Sequence, residues 1–217
     1  MAEVLIKQQK PDFYELDLPD DRFKHYATKS VVAIDTETRG LIINRDRLCL
    51  IQICDDEGVV SLVRYKHKIE AGQRVGANVK KLLEDNNILK LFHYARFDIS
   101  VLKHSLGAQT APVFCTKIAS KLVRTYTDRH SLKDLVREIL GKEMDKSDQS
   151  SDWARDDLTE SQMEYAANDV RVLIPIYERI KALLEREGRL ELTQRVCQCL
   201  PVVCDLDLGG FSNVFEH

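Results

Sequence analysis

The chain has 217 residues, 44% of them hydrophobic and 31% charged, with a formal net charge of −3. That length suits one sizeable α/β core, alone or with a small helical appendage, and a second full domain is not expected. The composition excludes a disordered chain, and the charge excludes the broad positive field of proteins that grip long nucleic acid, although a local basic patch can sit inside such a total.

The N-terminal run MAEVLIKQQK has no basic region followed by an apolar stretch, and no later segment reaches the length of a membrane span. A cytoplasmic protein without membrane contact is therefore expected. Residues 31–35 (VVAID), 48–54 (LCLIQIC) and 58–63 (GVVSLV) are short β-branched runs, read as consecutive strands with a tight turn at Asp55-Asp56-Glu57-Gly58. Val75, Val79, Leu82 and Leu83 then recur at helical spacing, ILKLFH (88–93) reads as a buried strand, and Phe97, Val101 and Leu102 open another helix. This order joins a parallel crossover to an antiparallel meander.

Beyond residue 115 the pattern is helical. Ser131 with Asp134, and Thr159 with Gln162, have the spacing of capping boxes. From Met163 the apolar positions Ala166, Val170, Leu173, Tyr177, Ile180 and Leu184 trace one face, which Pro175 should kink. Residues 141–157 are polar and read as a loop or lid, and the tail after Pro201 as irregular structure or a subunit contact. The chain is read as a single domain, 1–217, with its core at about 28–187 and a C-terminal helix and tail at 188–217. Cys49, Cys54, Cys115, Cys197, Cys199 and Cys204 never stand at CxxC spacing, so buried free thiols are expected in place of a zinc site.

Three acidic clusters carry the chemistry: Asp35-Thr36-Glu37 at a strand end, Asp98 at a strand-to-helix junction, and Tyr165 with Asp169 one helical turn apart. Each has an ordinary explanation: solvated acids at a strand end, an acid favoured by a helix dipole, and a tyrosine beside a surface acid. Their ordered combination is much less ordinary. Two carboxylates on one face repel, and keeping both ionised calls for a cation or another strong compensating charge.

This ordered set resembles the DEDD superfamily of 3'-to-5' exonucleases, in the subclass whose third motif carries tyrosine. The sister subclass has a histidine where this chain has Glu164. The resemblance implies an α/β fold, a ribonuclease H-like mixed five-stranded sheet flanked by helices. SSDWARDDLTESQMEYAANDVRVL (150–173) is similar to the ribonuclease D signature but departs at Asp156-Asp157, where that family usually has an Arg-Pro-Leu run. RDRLCLIQI (45–53), FHYARFD (92–98) and FCTKIASKLVRTYTDRHSLKDL (114–135) resemble the compact nanoRNase C-type enzymes, ribonucleases of very short RNA, chiefly dinucleotides. A chain ending at residue 217 suits that type better than a ribonuclease D with further helical domains.

The resemblance implies a metal-dependent exoribonuclease releasing nucleoside 5'-monophosphates. Asp35, Glu37, Asp98 and Asp169 would hold two divalent cations, Mg²⁺ or Mn²⁺, and Tyr165 would orient the attacking water. It makes Leu41 a wedge between two bases and sets His93 and Phe97 beside the substrate; Thr36, Arg129 and Trp153 are further candidate substrate contacts. Leu41 could equally pack as a loop residue, and Trp153 could anchor its loop. Lys117, Lys121, Arg124, Arg129, His130 and Lys133 form either a solvated face or a cap for a 5'-phosphate. The related enzymes form rings, commonly octamers, so a homo-oligomer is expected. The alternatives are ribonuclease D-like trimming of tRNA or other RNA 3' ends, and a silent nucleic-acid-binding module.

Overall fold

The run Leu48–Asp55 is buried at every position, which requires a strand covered on both faces. The computed structural model describes residues 9–66, 75–144, 151–155 and 157–214. In chain order these form β1 (Asp12–Glu15), α1 (Asp20–Tyr26), β2 (Val31–Thr38), β3 (Leu48–Asp55), β4 (Val60–Arg64), α2 (Ala77–Glu84), β5 (Leu89–Phe92) and α3 (Ala95–Leu106). There follow β6 (Val113–Cys115), α4 (Thr116–Val123), α5 (Leu132–Leu135) leading into a π-helical turn at Val136–Leu140, α6 (Glu160–Arg171), α7 (Leu173–Arg186), α8 (Leu190–Gln198) and α9 (Leu200–Leu208).

The fold is mixed α/β, with strand order β1-β4-β3-β2-β5-β6. β2, β3 and β4 form the expected antiparallel meander, and β5 joins β2 in parallel by the expected crossover. Asp55 fixes the β3–β4 turn by accepting from the backbone of Glu57 at 3.0 Å and Val59 at 2.9 Å, and Gly58 takes φ 81°. The sheet has six strands where five were expected. β1 pairs in parallel with β4 at one edge, and its four residues, DFYE, are too few to display a period.

Both capping boxes form, at Ser131–Asp134 and Thr159–Gln162. The continuous kinked helix expected from Met163 onward is instead two helices, α6 and α7, separated at Val172. Pro175 lies in the first turn of α7, where a missing N–H removes no helical bond. The irregular structure expected after Pro201 is corrected as well: the chain is helical to Leu208, with Leu200 and Cys204 of α9 buried, and Arg96 and Lys103 of α3 pair with Asp207 and Asp205. Five cysteines are buried free thiols as expected, but Cys199 is exposed. No helix among the described residues is long and apolar enough to cross a membrane.

This topology sets up the site. β5 pairs with β2 only along Val31–Ala33, so Asp35–Thr38 runs on beyond its neighbour, where the start of α3 comes in beside it. α6 packs across β2, β3 and β4.

Candidate active site

Asp35 and Glu37 alternate with Thr36 on β2, so the two carboxylates share a face. α6 brings Asp169 over that face, and one carboxylate oxygen from each of Asp35, Glu37 and Asp169 lies within 4.8 Å of the others. Asp98 stands beside this trio in the first turn of α3 and accepts from Thr36 Oγ1 at 2.7 Å. The turn before α3 is tight: Tyr94 caps the helix in the left-handed region at φ 72°, a strained position for a residue with a side chain.

Among the described residues no ion pair reaches Asp35, Glu37 or Asp98. Burial pushes the Asp35 carboxyl up to about 7. Burial, then the charges of Asp35, Asp169 and Asp98, push Glu37 up to about 10. Burial and the nearby Asp35 hold Asp98 well above the usual carboxylate range, opposed by the Thr36 hydrogen bond. Without a cation, therefore, the cluster holds protons at neutral pH. Oxygen donors that converge in this way fit hard divalent ions, which would stabilise the ionised forms. Tyr165, one turn before Asp169, has its phenol pushed up by burial and then by Asp169, so it stays protonated and acts as a donor.

Asp35, Glu37, Tyr165 and Asp169 line a cleft of about 350 Å³ with Leu41, His93, Lys117, Ser131, Leu132 and Met144, while Asp98 is buried behind that lining. Leu41 is 82% exposed at this cleft, which rules out the reading of a loop residue packed on the core. His93 Nδ1 lies 2.9 Å from Thr116 Oγ1, whose own proton goes to the Phe92 carbonyl at 3.1 Å. Nδ1 is therefore the donor in that pair.

The remaining sequence expectations fare less well. Thr36 lines the cleft, but its hydroxyl is given to Asp98. Phe97 is half-buried against the core and does not line the cleft. Arg129 is exposed and also outside the cleft lining. Of the two readings of Trp153, substrate contact or loop anchor, its surroundings fit the anchor: it is only 4% exposed and packs on Tyr165 with ring centroids 6.1 Å apart. Of the basic stretch, Arg124 is buried and paired with Glu138, so it belongs to neither a solvated face nor a phosphate cap. Lys117 does face the cleft, with its ammonium 4.3 Å from the centre of the Tyr94 ring. The lid expected at 141–157 lies in part outside the described residues, and Met144 is its contribution to the cleft.

Ser131, Leu132 and Met144 were missed as cleft residues, and Gln52, behind the cleft lining, was missed as a neighbour of the acids. Gln52 is fully buried directly across the β2–β3 ladder from Asp35, and its side-chain amide has no hydrogen-bond partner among the described residues. Its place in the apolar run LCLIQIC, beside a predicted strand ending in acids, was the available signal. Glu164, where the sister subclass has histidine, is paired with Arg171 and does not line the cleft.

Residues 13–185 match the family described as 3'-5' exonuclease. The chain belongs to the 3'-5' exonuclease family. It is ribonuclease D-like: the ribonuclease D of Gluconacetobacter diazotrophicus is 34% identical over 160 residues, 74% of this chain and 39% of that protein. The chain thus spans about two fifths of the length of this curated relative. Its structure is similar over nearly all of both chains to Brucella melitensis NrnC bound to pGG, with a TM-score of 0.88 and 43% identity, covering 97% of this chain and 100% of that one. Brucella melitensis NrnC with bound Mg²⁺ superposes with a TM-score of 0.87 at 43% identity, covering 96% and 100%.

Proposed function

We propose that this chain, acting as one catalytic unit, is a two-metal 3'-5' exoribonuclease that degrades dinucleotides and very short RNA to nucleoside 5'-monophosphates. The observation that carries the metal chemistry is the convergence of Asp35, Glu37 and Asp169 within 4.8 Å at the cleft, where among the described residues no ion pair balances Asp35 or Glu37. Preference for very short RNA is supported by the near-complete likeness to NrnC bound to pGG and by the exposed Leu41 at the cleft.

Asp35, Glu37, Asp98 and Asp169 would hold Mg²⁺ or Mn²⁺, which when bound supply an activated water and neutralise charge on the leaving 3'-oxygen. The chain's own residues do the rest. Thr36 fixes the Asp98 carboxylate through its hydroxyl. The protonated phenol of Tyr165 donates to the attacking water and orients it towards the scissile phosphorus. Leu41 enters between two bases, and His93, held by Thr116, stands at the substrate's flank. A homo-oligomer, the octamer included, belongs to the same proposal, as does a cytoplasmic location.

The sequence match to ribonuclease D supports a second reading, trimming of tRNA or other RNA 3' ends. Both readings need the acids. The test is hydrolysis of a 5'-labelled diribonucleotide with Mg²⁺ or Mn²⁺ by the wild-type chain and by Asp35→Ala. Release of 5'-monophosphates that vanishes in Asp35→Ala supports the metal assignment, and wild-type turnover by that variant overturns it.

A further inference from the structure

A second cleft, of about 290 Å³, opens on the other side of Trp153 and shares no lining residue with the carboxylate cleft. Its walls come from three places: Arg39 and Arg47 at the ends of the β2–β3 connection, Arg64 to Lys66 at the end of β4, and the turn 152–155. Five cationic side chains line it, Arg39, Arg47, Arg64, Lys66 and Arg155, with Asp152 as the one lining carboxylate. In a chain of net charge −3 this is a strong local excess.

The pairing within the cleft sharpens that excess. Arg64 and Lys66 are matched by Glu15 of β1. Asp152 accepts from the Ala154 backbone at 2.9 Å. Arg47 donates only to carbonyls, to Tyr65 at 2.6 Å, Ala154 at 3.2 Å and Leu48 at 3.4 Å, so it ties the two walls together and keeps its charge. Among the described residues Arg39 and Arg155 have no ion pair. Trp153 Nε1 and Tyr65 Oη, on residues 4% and 6% exposed that line the same cleft, are buried donors with no partner among the described residues. Uncompensated guanidinium groups converging from separate elements suit a tetrahedral oxyanion, which offers acceptors to several forks at once, better than a carboxylate with two oxygens.

We propose that this cleft is a second, metal-independent anion site that takes a phosphate group, with Arg39 and Arg155 as its principal ligands and Arg47 as the cation that holds it open. It is a site for a small phosphate-bearing molecule, either free phosphate or pyrophosphate or the phosphate of a nucleotide. Because Trp153 stands between this cleft and Tyr165, the sole tryptophan reports its occupancy.

The test is calorimetric titration of the full chain in chelator, so that no divalent ion can bridge phosphate to the carboxylates. Inorganic phosphate, pyrophosphate, adenosine 5'-monophosphate, adenosine and acetate are compared, with Trp153 fluorescence followed in parallel. Saturable binding of the phosphate compounds but not of adenosine or acetate is expected, retained in Asp35→Asn. Binding should weaken about tenfold in the double variant Arg39→Gln/Arg155→Gln, whose two sites are exposed and whose fold is checked by circular dichroism. Tighter binding of the nucleotide than of phosphate assigns the site to nucleotides, and equal binding assigns it to the phosphate group alone. No saturable binding, equal binding of acetate, or unchanged binding in the double variant overturns the proposal.

Discussion

Tyr165 is the residue whose role separates orientation from metal binding. Its phenol is held protonated by burial and by Asp169, so at neutral pH it can donate a proton in a hydrogen bond but cannot serve as a free base. Replacing it with phenylalanine removes one hydroxyl and leaves the ring on Trp153 in place. Tyr165→Phe is expected to lower kcat about 100-fold with little change in KM or in the metal concentration for half-maximal activity. Steady-state kinetics across a Mg²⁺ titration check this. A large shift in the metal requirement would instead make Tyr165 part of the metal-holding set.

At the scale of elements, α6 carries two site residues, and Gln162 at its start fixes how the helix meets the turn before it. The Gln162 Oε1 accepts from the Thr159 backbone at 3.0 Å, while Nε2 donates to Ser151 Oγ at 3.0 Å and to the Asp152 carbonyl at 3.3 Å. Gln162→Ala should therefore cost about 1 kcal/mol in capping alone. The thermal midpoint is expected to fall by roughly 2–4 °C, with Trp153 fluorescence shifted as its turn loosens. An unchanged midpoint and spectrum would mean that the Gln162 hydrogen bonds contribute nothing.

This helix was readable from the sequence because a capping box and an apolar face coincide in it. The same holds for β2, β3 and β4, whose β-branched runs and turn residues agree. β1 and α9 were not readable. β1 is four residues stabilised by pairing with β4 rather than by its own pattern, and the two acids of α9, Asp205 and Asp207, stand two apart in an apolar run and so mark no single helical face. In the site, the acids and Tyr165 were legible because two-residue and four-residue spacings translate directly into shared faces. Trp153, Arg124 and Gln52 were not, because the burial of each depends on partners distant in sequence.

For the whole molecule, gathering these acids has a consequence for stability. A carboxyl whose folded-state pKa is raised binds its proton more tightly in the folded chain, so ionising it favours unfolding. The unfolded values lie near 4, and the folded ones reach about 7 for Asp35 and about 10 for Glu37. Metal-free protein should thus lose stability from this site as pH rises from about 4 through these values, and saturating Mg²⁺ should cancel the loss. Urea unfolding across pH 5 to 9, with chelator and with Mg²⁺, checks the sign, since the difference between the two series isolates the site. A chelated protein that gains on the Mg²⁺-loaded one as pH rises would contradict it.

In the proposed function the carboxylate cleft accounts for cleavage, whereas selection of substrate length has to come from Leu41, the cleft walls and any neighbouring subunit. The most direct measurement is the turnover of 5'-phosphorylated RNAs of two to seven nucleotides in Mg²⁺, with a chelator control. Rapid hydrolysis of the dinucleotide, steeply slower hydrolysis of every longer chain, and none in chelator is the predicted result. Comparable rates at all lengths, or turnover without a divalent ion, would contradict it.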